Sequence, residues 1–399
     1  MKKRQSISVS YTFLQFLYWM SASTLLCFAV TFLKATGFSN SLSGVILSLG
    51  DISGFFIVAR NGELTDRSRP GFCFHAAVVS IVAQSSILLL LFILKQATSI
   101  TAICFSLAIA FGQLINSINI KMFVDLLHTG NNINFGFSRS FGSLSYGLAA
   151  LIVSFMIPAF GIRVIPLICF IATAAELMPI FFLKQSFSIA ASKSVFSEDR
   201  QVSGGTRNTV QFLRRNRQYF MLLIGLALLF AANNSVANYM IIIIENIGGS
   251  ITDLGKITCF FALLECPTML LYSKLRGRFS STTLLRLSLS FFFAKAVIIC
   301  ISQSIPMLYL AFTTQIFSTG LYAPVIVDYI NENISYGDSA KAQSLAMVTA
   351  IIGTIIASTI TGIFFDYFHV NVVLILSTAI SLSGLIICLI GLKKGRLIQ

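Results

Sequence analysis

Charge is scarce in this chain. Only 11% of its 399 residues are Asp, Glu, Lys or Arg, against roughly a quarter in a soluble domain. Proline is rare at seven residues, histidine numbers three and tryptophan one. The three histidines, His75, His128 and His369, stand far apart. The eight cysteines show no CxxC spacing, so they read as small apolar packing residues. These absences argue against a zinc site, a haem site, a disulfide framework and a bound cofactor. No phosphate-cradling glycine loop is present either. What fills the chain instead is apolar: 56% hydrophobic residues, 37 of them Phe, and a mean hydropathy of +0.86. A core of this length cannot hide so much apolar surface, which makes lipid the solvent.

The apolar residues fall into twelve runs, near 8–32, 41–60, 71–94, 98–120, 138–158, 163–183, 218–243, 252–273, 280–302, 305–328, 340–364 and 370–391. Each reaches about 20 residues, enough to cross roughly 30 Å of hydrocarbon as a helix. No water is available there, so every backbone group must bond within its own helix. The expected fold is therefore an all-α polytopic membrane protein of twelve transmembrane helices. The first run follows Lys2-Lys3-Arg4 but is longer than a signal-peptide core, and it reads as a retained span.

Basic residues orient the chain. With even-numbered run ends on the side of the N-terminus, 23 of the 28 Lys and Arg residues fall on that side. Lys34, Lys95, Arg163 and Lys256 fall opposite, and Lys295 lies inside a run. Both termini are expected in the cytoplasm, with the protein in the cytoplasmic membrane. The +14 net charge is thereby assigned to topology and anionic lipid rather than to nucleic acid.

The longest polar stretch, 184–217, contains Glu198-Asp199-Arg200, Gly204-Gly205 and Arg214-Arg215. It separates an N-terminal six-helix half, 1–183, from a C-terminal one, 218–399. Its composition is that of a flexible linker with a basic amphipathic part. A weak echo relates the halves: Arg67-Ser68-Arg69 and Arg276-Gly277-Arg278 occupy matching loops. Two six-helix repeats around a central linker form a layout used by secondary transporters, with solute bound near the midplane.

Two motifs carry a resemblance. Gly62-Glu63-Leu64-Thr65-Asp66-Arg67 lies between the second and third runs. In that place a GxxxDR string resembles the gating loop of the major facilitator superfamily, over the full length of the chain. It implies a gate formed by Gly62, Asp66 and Arg67, in which Gly62 lets two helices approach and Asp66 caps a neighbouring helix N-terminus or pairs with an arginine in one conformation only; the alternative is a solvated turn. Phe135-Gly136-Phe137-Ser138-Arg139-Ser140-Phe141-Gly142 opens the fifth run. It resembles the FGRxRxxG stretch of the lactose-permease-like oligosaccharide/proton symporters, and of the nucleoside and phenylpropionate permease-like groups. By that resemblance Arg139 binds the solute. The symporters' acidic partner on helix 4 falls at Lys121, with Asp125 one turn on as its stand-in. Their acid on helix 8 and base on helix 9 match Glu265 and Lys295. Their titratable pair on helix 10 falls on Gln315 and Ser318, which do not titrate.

Asp51, Glu176, Glu265 and Lys295 lie well inside apolar runs. Each costs on the order of 3 kcal/mol to insert, which makes them proton-coupling candidates. Trp19, Asn119, Asn234, Asn238 and Gln315 join Arg139, Lys121 and Asp125 as candidate solute contacts, because amides and rings suit a hydroxylated ligand. The alternative for the asparagines is helix-to-helix bonding. The expected activity is uptake of a small polar solute, sugar-like or nucleoside-like, with H+ as the coupling ion and the protein working as a monomer. Efflux or exchange of amphipathic compounds and uncoupled uniport are alternatives within the class. A non-transporting receptor or a polytopic membrane enzyme lies outside it, and no catalytic cluster supports the enzyme.

Overall fold

The computed structural model describes residues 2–67, 71–94, 96–128, 135–191 and 209–392. Every regular element among them is helical. The first run is α1 (Lys2–Cys27) and α2 (Ala29–Thr36), which meet at a 47° bend. Then follow α3 (Asn40–Arg67), α4 (Phe72–Ile93), α5 (Ser99–His128) and α6 (Phe135–Phe160). The sixth run is α7 (Val164–Ala175) and α8 (Leu177–Ala191), and a short α9 (Thr209–Arg215) comes next. The seventh run is α10 (Arg217–Asn238) with α11 (Met240–Asn246), the eighth α12 (Ile251–Arg276) and the ninth α13 (Ser281–Cys300). The tenth is α14 (Ile305–Thr313), a 3-10 turn at Thr314–Ile316 and α15 (Thr319–Asn333). The chain continues with α16 (Tyr336–Tyr367) and α17 (Val370–Gly391).

Among the described residues, 10 helices are long and apolar enough to cross a membrane, or 11 with the bent α1–α2 pair. The eighth run, 252–273, is likewise one continuous helix, α12. The protein is thus an all-α polytopic membrane protein. Large apolar side chains lie on its outside, among them Phe155, Phe181, Phe182 and Ile375. That arrangement would be costly in water and is neutral against lipid.

The chain divides into two compact units. One is Met1–Glu198 with Ser250–Ala262; the other is Asp199–Gly249 with Leu263–Gln399. The first half of α12 therefore belongs to the first unit. The core of the first unit gathers Tyr11, Leu14, Phe74, Ile81, Ile115, Met122 and Leu183, all buried. The core of the second gathers Phe212, Tyr219, Leu226, Leu285, Leu321 and Tyr329. Polar bonds tie helices within each unit. Ser21 on α1 bonds Thr173 on α7 at 2.7 Å, and Ser106 on α5 donates to the Ile46 carbonyl on α3 at 2.8 Å.

Two details depart from the reading of the sequence. The acid–base stretch at 62–70 is not a compact loop, because α3 stays helical through Arg67. Its run of Asn61, Glu63, Leu64 and Arg67 contains no proline until Pro70, so nothing stops the helix earlier. Gly62 also has nothing within 4 Å of where a Cβ would stand. In this structure it lies in open space rather than at a close helix contact. The side chains of Asp66 and Arg67 lie outside the described residues, as does most of the linker.

Candidate functional site

In the first unit the sequence candidates Trp19 and Arg139 meet. The Arg139 guanidinium carbon lies 3.8 Å from the centroid of the Trp19 ring, and its Nη1 donates to Ser143 Oγ at 3.0 Å. The two residues come from α1 and α6. Gly142 makes the contact possible, since a Cβ there would stand 2.4 Å from the ring's Cδ1. Trp19 Nε1 donates to Gln15 Oε1 at 3.1 Å. Gln15 Nε2 donates to the Tyr11 hydroxyl at 3.0 Å, which donates to the Asn119 backbone carbonyl at 3.2 Å. A polar string thus runs from α5 through α1 to α6. Asn119 itself is fully buried, and neither atom of its side-chain amide has a partner among the described residues. Tyr146 adds an aromatic wall, its ring centroid 6.3 Å from that of Trp19.

Lys121 and Asp125 pair with each other one turn apart on α5, at 3.3 Å. Cys73 of α4 also donates to Asp125, at 3.4 Å. Asp51 is approached by Gln113 of α5, whose Nε2 donates to Oδ1 at 2.6 Å. Gly54, one turn along α3, leaves the room: a Cβ there would stand 2.3 Å from Gln113 Oε1. Glu176 caps the end of α7 at the joint with α8. It is fully buried, and neither carboxyl oxygen has a hydrogen-bond partner among the described residues.

In the second unit Glu265, Gln315 and Lys295 form one chain. Lys295 Nζ donates to Gln315 Oε1 at 2.8 Å, and Gln315 Nε2 donates to Glu265 Oε1 at 3.0 Å. Lys295 is 5% exposed, so its charge needs this acceptor. The break in the tenth run at Thr314–Ile316 presents Gln315 to both partners. Asn234 donates to Thr354 at 2.7 Å and Asn238 to Ser358 at 2.8 Å. Both bonds join α10 to α16, which is the helix-to-helix alternative for these asparagines.

A further cluster was not legible in the sequence. Arg276, at the end of α12, pairs with Asp328 at 3.3 Å and also with Glu332, both on α15. The Tyr272 hydroxyl donates to Asp328 and the Ser281 hydroxyl to Glu332. The two acids are four residues apart and share a helix face. Only that spacing, beside the Arg276–Arg278 echo, carried a hint. Gln15 and Gln113 gave no signal at all, because a neutral amide in a helix is silent until its partner is known.

Among the described residues no group of three or more His, Cys, Asp or Glu side chains is placed to hold a metal. These are lipid-spanning helices in which the charged side chains Asp51, Glu265 and Lys295 are each bonded to a side-chain amide. The model of the "MFS_1 like family" matches residues 8–376, and the chain belongs to that family of the major facilitator superfamily. It is a transporter and not an enzyme. It is similar to a maltose permease of Geobacillus stearothermophilus, 24% identical over 273 residues, which cover 66% of this chain and 64% of that protein. The matched part thus spans under two thirds of the relative. Among solved structures it is similar to the nucleoside transporter NupG, with a TM-score of 0.73 at 15% identity, covering 99% of this chain and 100% of that one. A bacterial homologue of the iron transporter ferroportin, in an inward-facing state, gives a TM-score of 0.72 at 13% identity, covering 97% and 99%. At such identities these likenesses establish the fold.

Proposed function

We propose that this protein takes up a small, neutral, hydroxylated solute, sugar-like or nucleoside-like, by alternating access and in symport with protons. The observation that carries the reading is Arg139 stacked on the single tryptophan. A guanidinium offers donors in a plane, and an indole offers a flat apolar face. A sugar or nucleobase needs both: hydroxyls or ring acceptors on one side, an apolar face on the other. Gln15, Tyr11 and Asn119 extend the polar surface. Asp125 and Lys121, and in the second unit Asn234, Asn238 and Gln315, are the further contacts proposed.

Proton coupling is proposed for Glu265, linked through Gln315 to Lys295, with Asp51 as a second acid. An acid that must change partners as the protein changes state is suited to trade a proton for a solute. Gly62, Asp66 and Arg67 are proposed to gate the side that faces the cytoplasm. The protein is placed in the cytoplasmic membrane as a monomer with both termini inside. Similarity to a maltose permease and to a nucleoside transporter supports the solute class.

A thermal-shift screen of sugars, nucleosides and aromatic acids finds the ligand, because a solute that binds only the folded state raises its stability. Uptake of each hit into proteoliposomes then tests the coupling. Accumulation is expected to follow an inward proton gradient. Uptake indifferent to that gradient would sink the symport reading, and extrusion of amphipathic dyes without uptake of any hit would sink the import reading.

A further inference from the structure

We propose that the break in the tenth span of the second unit is a binding site for a small inorganic anion of the halide class, held at the N-terminus of α15. The break leaves donors without acceptors. Phe317 and Ser318 donate their backbone N–H groups to the Thr314 carbonyl, and Tyr322 donates to the Ser318 carbonyl. Between them, the N–H groups of Thr319, Gly320 and Leu321 find no backbone acceptor among the described residues. These are the orphan donors of a helix start, here inside a span with no water from the lipid side to satisfy them. Ser318 occupies the N-cap position, but its backbone (φ −81°, ψ −93°) is not the extended one of a capping residue, and its side chain makes no cap bond.

The side chains point to an occupant independently of the backbone. Ser318 is fully buried, and its hydroxyl has no hydrogen-bond partner among the described residues. The same holds for the buried hydroxyl oxygen of Thr319, the first residue of α15. A third hydroxyl stands close, since Thr268 Oγ1 of α12 lies 3.1 Å from where a Gly320 Cβ would be. The Ser288 hydroxyl of α13 donates to the Ser318 carbonyl at 2.9 Å and fixes that corner of the chain. An orphaned buried donor is costly, and several converging on one helix start make a cradle for negative charge. The charged groups at the break offset each other: Gln315 accepts from Lys295 at 2.8 Å and donates to Glu265 at 3.0 Å. The preference for an anion therefore comes from the N–H groups, the hydroxyls and the positive end of the helix. No arginine stands among these residues to fork onto a carboxylate or a phosphate, which leaves a round, monovalent ion as the best match. Such an ion would hold the break open and keep Gln315 between its two partners.

Equilibrium binding of radioactive chloride to the full-length protein in lipid nanodiscs tests this without any solute. Saturable binding displaced by bromide is expected in the wild type. Sodium chloride should also raise the melting temperature above that in equal sodium gluconate, because the ion binds the folded state. The near-isosteric double variant S318A/T319V should weaken chloride binding at least about tenfold, since hydrogen bonds to a charged group are strong. S381A, which removes a buried hydroxyl from α17, should leave it unchanged. If the double variant does not fold, S318A alone carries the comparison, with a smaller loss expected. A wild type without saturable chloride binding overturns the proposal. So does wild-type affinity in the folded S318A/T319V protein, or displacement by acetate as effective as by bromide. The site stands or falls apart from the solute and the proton coupling proposed above.

Discussion

The Arg139 guanidinium rests 3.8 Å above the ring of Trp19, the only tryptophan in the chain. A cation over an indole is worth about 0.5–2 kcal/mol, more when water is excluded. The pair is therefore strong enough to be held and weak enough to be displaced by a ligand. It also places the protein's sole indole fluorophore at the proposed solute face.

Trp19 emission should report binding without a label. Ligands found by thermal shift are expected to change its intensity, and Arg139→Ala should alter the emission of the empty protein and abolish the ligand response. An unchanged titration in Arg139→Ala would remove that residue from the solute site.

Gly142→Val should weaken the same response with Arg139 still in place. Its Cβ would fall 2.4 Å from the indole Cδ1, so Trp19 must leave the cation. Loss of affinity at near-normal thermal stability is expected; wild-type affinity would show that the stacked geometry is dispensable.

Gln315→Leu should cost more stability than a typical surface change. It leaves Lys295 and Glu265 without their shared bridge, and an orphaned buried polar group costs about 1–3 kcal/mol. A drop in melting temperature by scanning fluorimetry checks this. Glu265→Gln should keep the fold yet abolish accumulation driven by a proton gradient, measured in proteoliposomes. Full coupled uptake in that variant would exclude Glu265 as a proton carrier.

Gly54→Val should separate Gln113 from Asp51, because the two cannot share the space with a side chain at residue 54. The thermal stability of Gly54→Val and of Gln113→Ala should fall by similar amounts, and the double variant should lose little more. Simple additivity would mean the two act independently.

The pair Arg276–Asp328 is about one third exposed on each side. A partly solvated ion pair contributes about 0–1 kcal/mol. Arg276→Gln should therefore lower the melting temperature only slightly, and added salt should shrink the difference. A large, salt-independent loss would place the cluster in a dry interior.

Much of the fold was legible because hydrocarbon permits few structures. Long apolar runs had to be helices, and the twelve runs all are. Stranded charges such as Lys295 and Glu265 announced themselves by their cost. Where helices break was less legible. Nothing in Thr313-Thr314-Gln315-Ile316 forbids a straight helix, yet a 3-10 turn forms there and aims Gln315 at Glu265 and Lys295. The stretch 62–67 misled in the other direction, since charge suggests a loop while helix propensity without proline favours continuation.

By itself the sequence determined the solvent, the element type, and which side chains were too costly to be idle. Transfer free energy acts residue by residue and can be read in one dimension. The tertiary structure alone decided the pairings: Arg139 with Trp19, Gln113 with Asp51, Gln315 between an acid and a base, and Glu176 with no hydrogen-bond partner among the described residues. Hydrogen bonds and ion pairs depend on angstrom-scale distances between residues scores of positions apart. Those distances are set by how helices pack, and only there does a costly residue acquire its partner or remain without one.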